Sequence, residues 1–292
     1  MRNNLTSYLL LFLLAAIWST SFLLIKIGVQ TVGPMTLTAI RLTIASAILC
    51  LFLAFKRETI PLHKEAWLLY FVVGLFGNTL PFLLISTGEV YVDSVMAAIL
   101  MGCMPICTFV LAHFFIREEP MTLRRSLGVF LGFIGLLVLV GASALTGLSN
   151  GALGELLVLA GAISYAITTI FVRLQPSFKG YQMAAGVSVV AALTAVPLAF
   201  IFEDPLLISP SKESIAAIVA LAVFATAIAS LIYFEVIRVL GATTFAQINY
   251  IIPVLGSIWG ILFLGELLEI RVLFALGLVL CGIYLIQSKT GD

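Results

Sequence analysis

Six polar side chains lie in the middle of long apolar stretches. Their residue types suit the binding of a small molecule. They are Trp18, Asn78, Tyr165, Gln247, Asn249 and Tyr250. An amide or aromatic polar group left unbonded in hydrocarbon is costly, so each needs a partner on a neighbouring helix, in a hydrated cavity or on a ligand. The pattern predicts a substrate-binding site for an amphiphilic or zwitterionic metabolite, with interhelical packing as the alternative.

Two apolar residues and two prolines extend this candidate site. Phe82 follows Asn78 by one helical turn, and Met101 lies in the centre of its apolar run; both could contact an apolar part of a substrate or simply pack in the core. Pro105 and Pro253 each remove a backbone hydrogen bond and bend a helix. They are expected to be hinges of a transport path, or static bends that shape it.

Several other residues are expected to serve the structure. Arg41 lies about 10 Å inside a predicted span; it could bind a substrate carboxylate, but capping carbonyl groups or pairing with a carboxylate near the end of the span is favoured. Glu118 and Glu266 closely follow their helices and are expected to cap the next turn. Tyr70 and Trp259 are assigned to the aromatic belts at the membrane faces.

The chemistry that the sequence lacks narrows the function. No carboxylate lies near the middle of a predicted span, and no His, Cys and acidic residues cluster at metal-ligand spacing. His63 and His113 lie near one face, so an intramembrane enzyme lacks converging groups. The glycines of 128–135 lie within an apolar helix and indicate close helix packing, not a phosphate loop. We expect neither an enzyme, a cofactor nor a metal site.

The elements that position these residues are membrane spans. The chain of 292 residues is 62% hydrophobic and 10% charged, against about 25% charged in soluble domains. Apolar runs between charged or Gly/Pro breaks predict an all-α integral membrane protein in a lipid bilayer. The ten predicted spans are 5–28, 34–55, 65–87, 91–114, 122–143, 151–173, 180–201, 213–236, 241–264 and 269–288.

Charge fixes the expected orientation. Eleven of the fifteen Lys and Arg residues fall in loops on one side of the predicted membrane, three on the other and one, Arg41, inside a span. The positive-inside rule then puts both termini in the cytoplasm of a multi-pass protein of the cell membrane. Loops on the outer side carry Glu89, Asp93, Glu203 and Asp204. The net charge of +1 gives no reason to expect a nucleic-acid partner.

The two halves of the sequence resemble each other. Trp18 falls on Tyr165 at an offset of 147, and Pro105 falls on Pro253 at 148. Each half holds five predicted spans, an odd number, so the second half enters the membrane upside down relative to the first. Inverted repeats with a site between them are a recurring plan of secondary transporters.

The chain resembles the EamA-type members of the drug/metabolite transporter superfamily. The matching residues are Trp18-Ser19, Arg41, Pro105, Glu118, Gly128 through Gly135, Gly241-Ala242-Thr243, Pro253, Gly265-Glu266 and Gly282. The resemblance implies ten helices in two inverted five-helix repeats, residues 1–146 and 147–292, around a central cavity. Aromatic amino acid exporters of the YddG type are the members that it most resembles. One departure is Ser188, which stands in the second half where the first has Arg41.

The function expected is export of amino acids and related metabolites by alternating access. Efflux of aromatic cationic drugs is the alternative, and it would favour an anionic residue in the cavity. A channel is disfavoured because no re-entrant filter segment appears. The small-molecule substrate, the driving ion and the oligomeric state, a monomer included, are left open.

Cysteine labelling tests the predicted topology. A cysteine at Ser149 should react with a membrane-impermeant maleimide in intact cells, because the loop after the fifth span is expected outside. A cysteine at Ser177 should react only after permeabilisation. The reverse labelling pattern would contradict the orientation.

Overall fold

The protein folds into helices. The computed structural model describes residues 4–116, 121–145, 150–174, 180–245, 248–267 and 269–287, in which the regular elements are α-helices and two π-helical segments. The α-helices are α1 Asn4–Gly28, α2 Pro34–Phe55, α3 Lys64–Gly74, α4 Leu80–Tyr91, α5 Ser94–Met101, α6 Met104–Phe115, α7 Leu123–Leu145, α8 Asn150–Arg173, α9 Gly180–Phe202, α10 Lys212–Ala220, α11 Ala229–Phe245, α12 Ile248–Leu264 and α13 Ile270–Gln287. The π segments are π1 Leu75–Thr79 and π2 Leu221–Ile228. The all-α prediction is confirmed.

Eight helical segments are long and apolar enough to cross a membrane. They are Thr6–Gly28, Pro34–Phe55, Lys64–Tyr91, Ser94–Phe115, Gly151–Val172, Gly180–Phe202, Lys212–Tyr233 and Ile270–Gln287. Three of these contain a π segment or a break, so α3, π1 and α4 form one span, as do α5 with α6 and α10 with π2 and the start of α11. The remaining predicted spans correspond to α7, of 23 residues, and α12, of 17. The count of ten stays a prediction for these two.

The end of α4 differs from the sequence-based prediction. Glu89 was assigned to a loop, but α4 continues to Tyr91 and the side chain of Glu89 is fully buried. The amine of Lys26 explains the longer helix, because it donates to the carbonyl oxygens of Glu89 at 2.8 Å and Val92 at 2.6 Å. These carbonyls end a helix and have no partner within it.

Helices from the two halves of the chain interlock. α2 packs along α9, α7 along α13, and α5 against α12. α1 lies against α10, α11 and α12, while α8 lies against α4 and α6. Each apolar core cluster therefore draws on both halves; Leu42 and Phe82, for example, pack with Ala195. Neither half buries its apolar faces on its own.

Two glutamates hold helix N-termini across the halves of the chain. The carboxylate of Glu203 accepts hydrogen bonds from the backbone N–H groups of Met35 at 3.0 Å and Thr36 at 2.8 Å, at the start of α2. Glu266 accepts from the N–H of Ser94 at 2.8 Å, at the start of α5. An anion suits these positions because helix N-termini carry unpaired N–H groups and a partial positive charge. The sequence-based prediction that Glu266 caps the next turn is wrong. Glu266 instead caps a helix of the other half.

Hydroxyl contacts draw the same end of the bundle together. Thr31 Oγ1, in the turn after α1, donates to Ser214 Oγ at 2.8 Å, and Ser214 Oγ donates to the carbonyl of Ile27 at 2.9 Å. We call the end that holds these contacts, Glu203 and Glu266 the distal end. At the opposite, proximal end, Tyr181 Oη donates to Glu58 Oε1 at 2.6 Å. Glu118 lies outside the described residues.

The contact between α7 and α13 depends on glycine. A Cβ atom on Gly282 would lie 2.6 Å from the carbonyl oxygen of Gly128 and 3.0 Å from the amide nitrogen of Gly132. Backbone atoms cannot move aside as a side chain can, so the two helices can approach this closely only without a Cβ. This is the close helix packing expected of small residues in a membrane.

Replacing Gly282 with alanine should therefore destabilise the protein. We expect a cost of about 1–3 kcal/mol for Gly282→Ala from overpacking, seen as a lower melting temperature of detergent-solubilised protein. Gly277→Ala on the same helix is the matched control, because nothing lies within 4 Å of its Cβ position. That variant should be neutral or more stable, since alanine favours helix. Equal melting temperatures for the two variants would contradict the packing argument.

Candidate functional site

A buried arginine is the centre of the candidate site. Arg41 in α2 is 4% exposed, and its Nε donates to Thr226 Oγ1 of π2 at 2.8 Å. Its guanidinium carbon lies 3.8 Å from the centre of the Phe82 ring, a cation–π contact. The charge also acts on Tyr165 and Glu89. This deeply buried cation is therefore held by Thr226 of π2 and Phe82 of α4.

Three side chains of the candidate site keep polar groups that no described residue bonds. Among the described residues, the terminal guanidinium nitrogens of Arg41, the amide of Asn78 and the hydroxyl of Tyr165 make no hydrogen bond. The rings of Phe82 and Tyr165 lie 6.5 Å apart in an edge-on arrangement, and Asn78 precedes Phe82 by one turn. Donors beside aromatic rings can bind a carboxylate and a flat side chain together.

The two π segments form this site at corresponding positions of the two halves. Thr79 in π1 and Thr226 in π2 differ by the repeat offset of 147. Thr226 Oγ1 donates to the carbonyl of Leu221 at 2.9 Å, leaving its lone pairs to accept from Arg41, and Thr79 Oγ1 donates to Ala191 at 3.0 Å. Sequence reasoning missed Thr226, although the threonine repeated at this offset was a signal that could have found it.

Trp18 lies in a second aromatic cluster. Its ring centre is 5.9 Å from that of Tyr233 and 6.2 Å from that of Phe245. Met101 packs instead against the same apolar cluster as Tyr165. The residues related by the repeat, Trp18 and Tyr165, therefore have different aromatic neighbours.

The remaining predicted site residues lie apart or outside the described structure. Tyr250 packs against the cluster that contains Ile106 and Phe109 between α6 and α13. Asn249 is half-buried and already makes an interaction within the protein. Gln247 lies outside the described residues. The structure thus places Phe82 against Arg41 and Tyr165 beside Phe82, while a pocket that also includes Trp18, Asn78, Met101, Asn249 and Tyr250 stays a prediction.

The two predicted hinge prolines have different helical settings. Pro105 starts α6 directly after a break at Gly102 and Cys103, whereas α12 continues through Pro253. A Cβ on Gly102 would lie 3.0 Å from the Pro253 ring, so this proline packs beside the break. The irregular backbone of one half is therefore supported by the other half, and a hinge role stays a prediction.

Two aromatic residues assigned to the membrane belts have interior contacts. Trp259 Nε1 donates to the fully buried Ser19 Oγ at 2.9 Å, which joins α12 to α1. Tyr70 is 2% exposed, and its ring fills the space beside Gly186 of α9. Both rings are near span ends in the sequence, but their helices pack them inward.

Comparison with known proteins identifies relatives over the whole chain. The EamA-like transporter family matches residues 5–141 and again residues 152–288. The transporter YoaV of Bacillus subtilis strain 168 is 26% identical over 272 residues, covering 92% of each chain. An S-adenosylmethionine/S-adenosylhomocysteine transporter of Chlamydia trachomatis serovar L2 is 28% identical over 96% of this chain and 88% of its own.

A solved crystal structure supports the fold alone. It aligns with a TM-score of 0.65 over 97% of this chain and 96% of its own, at 19% sequence identity.

Replacing Thr226 with valine tests the support of Arg41. Thr226→Val keeps the shape but removes the acceptor, so a buried charge loses one hydrogen bond at a cost of about 1.5–3 kcal/mol. Thr108→Val is the matched control, because Thr108 Oγ1 donates only to the carbonyl of Met104 in its own helix, at 2.9 Å. Thermal unfolding in detergent should separate the two variants. An unchanged melting temperature for Thr226→Val would mean that Arg41 does not depend on this contact.

Proposed function

The chain belongs to the EamA-like transporter family, and we propose that it is a secondary transporter that exports neutral amino acids, aromatic ones among them, and related metabolites. Alternating access between two inverted repeats, residues 1–146 and 147–292, is the proposed mechanism. The charge bias of the loops supports a cell-membrane protein with cytoplasmic termini, and the distal end is then outside.

Matching irregularities in the two halves support the inverted repeat. π1 and π2 carry threonines at one offset, and each threonine reaches the second helix of the other half: Thr226 binds Arg41 in α2, and Thr79 binds Ala191 in α9. Reciprocal contacts of this kind are expected from a two-fold axis in the membrane plane. The contacts of Glu203, Glu266 and Ser214 hold the helices together at the distal end. The proximal end is therefore the proposed side of substrate entry.

The unpartnered donors around Arg41 carry the substrate proposal. The guanidinium offers its terminal N–H groups to a carboxylate, while Asn78 and the Tyr165 hydroxyl can bond either end of a zwitterion. The rings of Phe82 and Tyr165 suit an aromatic or apolar side chain. Cationic drugs fit less well, since Arg41 repels them.

S-adenosylmethionine and similar compounds form a second substrate candidate. Relatives at 27% and 28% identity over 96% of this chain carry the name of S-adenosylmethionine/S-adenosylhomocysteine transporters. Such molecules combine an amino acid group with a flat base, so Arg41 would bind the carboxylate and the aromatic rings the base, with the sulfonium cation of S-adenosylmethionine turned away from the guanidinium. Their greater length distinguishes them from free amino acids.

Counterflow in proteoliposomes tests the proposal. Liposomes preloaded with unlabelled phenylalanine, leucine or S-adenosylmethionine should take up the corresponding labelled compound faster than empty ones. Tyr165→Ala should lower the rate about tenfold, equivalent to about 1.4 kcal/mol of lost interaction, and Asn78→Leu should shift preference towards more apolar amino acids. Tyr284→Ala is the control, because that ring is 60% exposed on α13. Preferential exchange of a cationic dye, or variants that fail only by aggregating, would contradict the assignment.

A further inference from the structure

The carboxylate of Glu89 is buried and has no partner among the described residues. It lies two residues before the end of α4 and is 0% exposed. Neither carboxylate oxygen accepts a hydrogen bond within the described part of the chain, and no cation there lies within ion-pair distance. An ionised carboxylate is strongly disfavoured in such surroundings. The packing seen here therefore accommodates the neutral, protonated acid.

Three charged side chains lie close enough to Glu89 to influence its charge. Lys26 of α1, Arg41 of α2 and Glu266 after α12 act on it electrostatically. The Lys26 amine, however, is engaged by backbone carbonyls and not by the carboxylate.

The two remaining neighbours of α4 add little charge at this point. α8 packs the small residue Gly154 against Gly88, and its titratable residues are the buried Glu155, the more proximal Tyr165 and Arg173, the last residue of the helix. α5 has no charged residue, and Asp93 just before it is exposed.

Two buried hydroxyl groups lie at levels between Arg41 and Glu89. Ser86 Oγ, one turn before Glu89 on the same face of α4, and Thr38 Oγ1, one turn before Arg41 on α2, are both fully buried and make no hydrogen bond to a described residue. α2 and α4 are packed together. Since Arg41 lies over Phe82, a rise of 1.5 Å per residue puts Glu89 about 10 Å further towards the distal end. By the same rise, Thr38 and Ser86 lie at levels between Arg41 and Glu89.

We propose that Glu89 is the proton-binding site that couples substrate movement to the proton gradient. This rests on the proposed transport function. The carboxylate takes up a proton and becomes a neutral acid. It stays neutral while the distal end is closed, and it releases the proton when an aqueous path reaches it. The surrounding Lys26 and Arg41 disfavour a metal cation at this carboxylate, whereas a proton adds no charge beyond neutrality.

Glu89→Gln keeps the shape of the protonated acid and cannot release a proton, so it should fold and still catalyse counterflow of labelled phenylalanine. A pH gradient across the proteoliposome membrane should drive phenylalanine accumulation by the wild type. The direction of the gradient that does so, acidic inside or acidic outside, distinguishes proton exchange from co-transport. That accumulation should be lost in Glu89→Gln and retained in Asp93→Asn, which removes an exposed acid at the same end.

Infrared difference spectroscopy tests the site without any substrate. Purified wild type and Asp93→Asn should show a protonated-carboxyl band that Glu89→Gln lacks. Absence of counterflow with every compound would contradict the transport proposal alone. An unchanged carboxyl band in Glu89→Gln, or normal gradient-driven accumulation, would overturn the proton site. If a sodium gradient drives accumulation by the wild type in place of the pH gradient, but not by Glu89→Gln, then Glu89 binds a metal cation. That result would also overturn the proton site.

Discussion

A peptide group buried in hydrocarbon must find a hydrogen-bond partner inside the protein, and the distal end of this molecule is organised by that requirement. The first N–H groups of α2 and α5 and the last carbonyls of α4 have no partners within their own helices. Glu203, Glu266 and Lys26 supply them. Each of these side chains reaches a helix other than its own. Glu203 and Glu266 thereby tie the two halves together, whereas Lys26 joins α1 to α4 within the first half.

The same requirement explains the irregular helices near the centre. Pro81 has no N–H, which removes one regular helical bond just after π1. Ser164 Oγ donates to the carbonyl of Phe76 in π1 at 2.6 Å, and Thr226 donates to Leu221 in π2. The Thr226 hydroxyl that repairs the backbone is also the acceptor for Arg41. The position of the buried guanidinium therefore follows from a local departure from α-helical winding.

The spans and the repeat could be predicted from sequence because both are patterns along the chain. Hydropathy marks where a helix crosses, and an offset of 147 relates Trp18 to Tyr165 without any structure. Which group a side chain meets is set by neighbours that are distant in sequence. Glu89 lies so near the end of a span that moving the predicted helix end by one turn changes its assignment from loop to buried core. Nothing in the sequence around Trp259 indicates its hydrogen bond to Ser19. Asn78 could be singled out because amides at mid-span are rare, and Phe82 because it lies one turn from Asn78. Thr226 was missed because a threonine in an apolar run is common.

A π segment contains one residue more in its turn than the regular helix on either side. When the extra residue moves along the chain, each hydrogen bond is exchanged for its neighbour, so the backbone stays satisfied throughout. A residue that the segment passes turns by about 100° around the helix axis. In π2 that rotation would swing the Thr226 hydroxyl away from the Arg41 Nε, which lies 2.8 Å from it here. The winding of this single helical turn thus sets whether the Thr226 hydroxyl faces the Arg41 Nε.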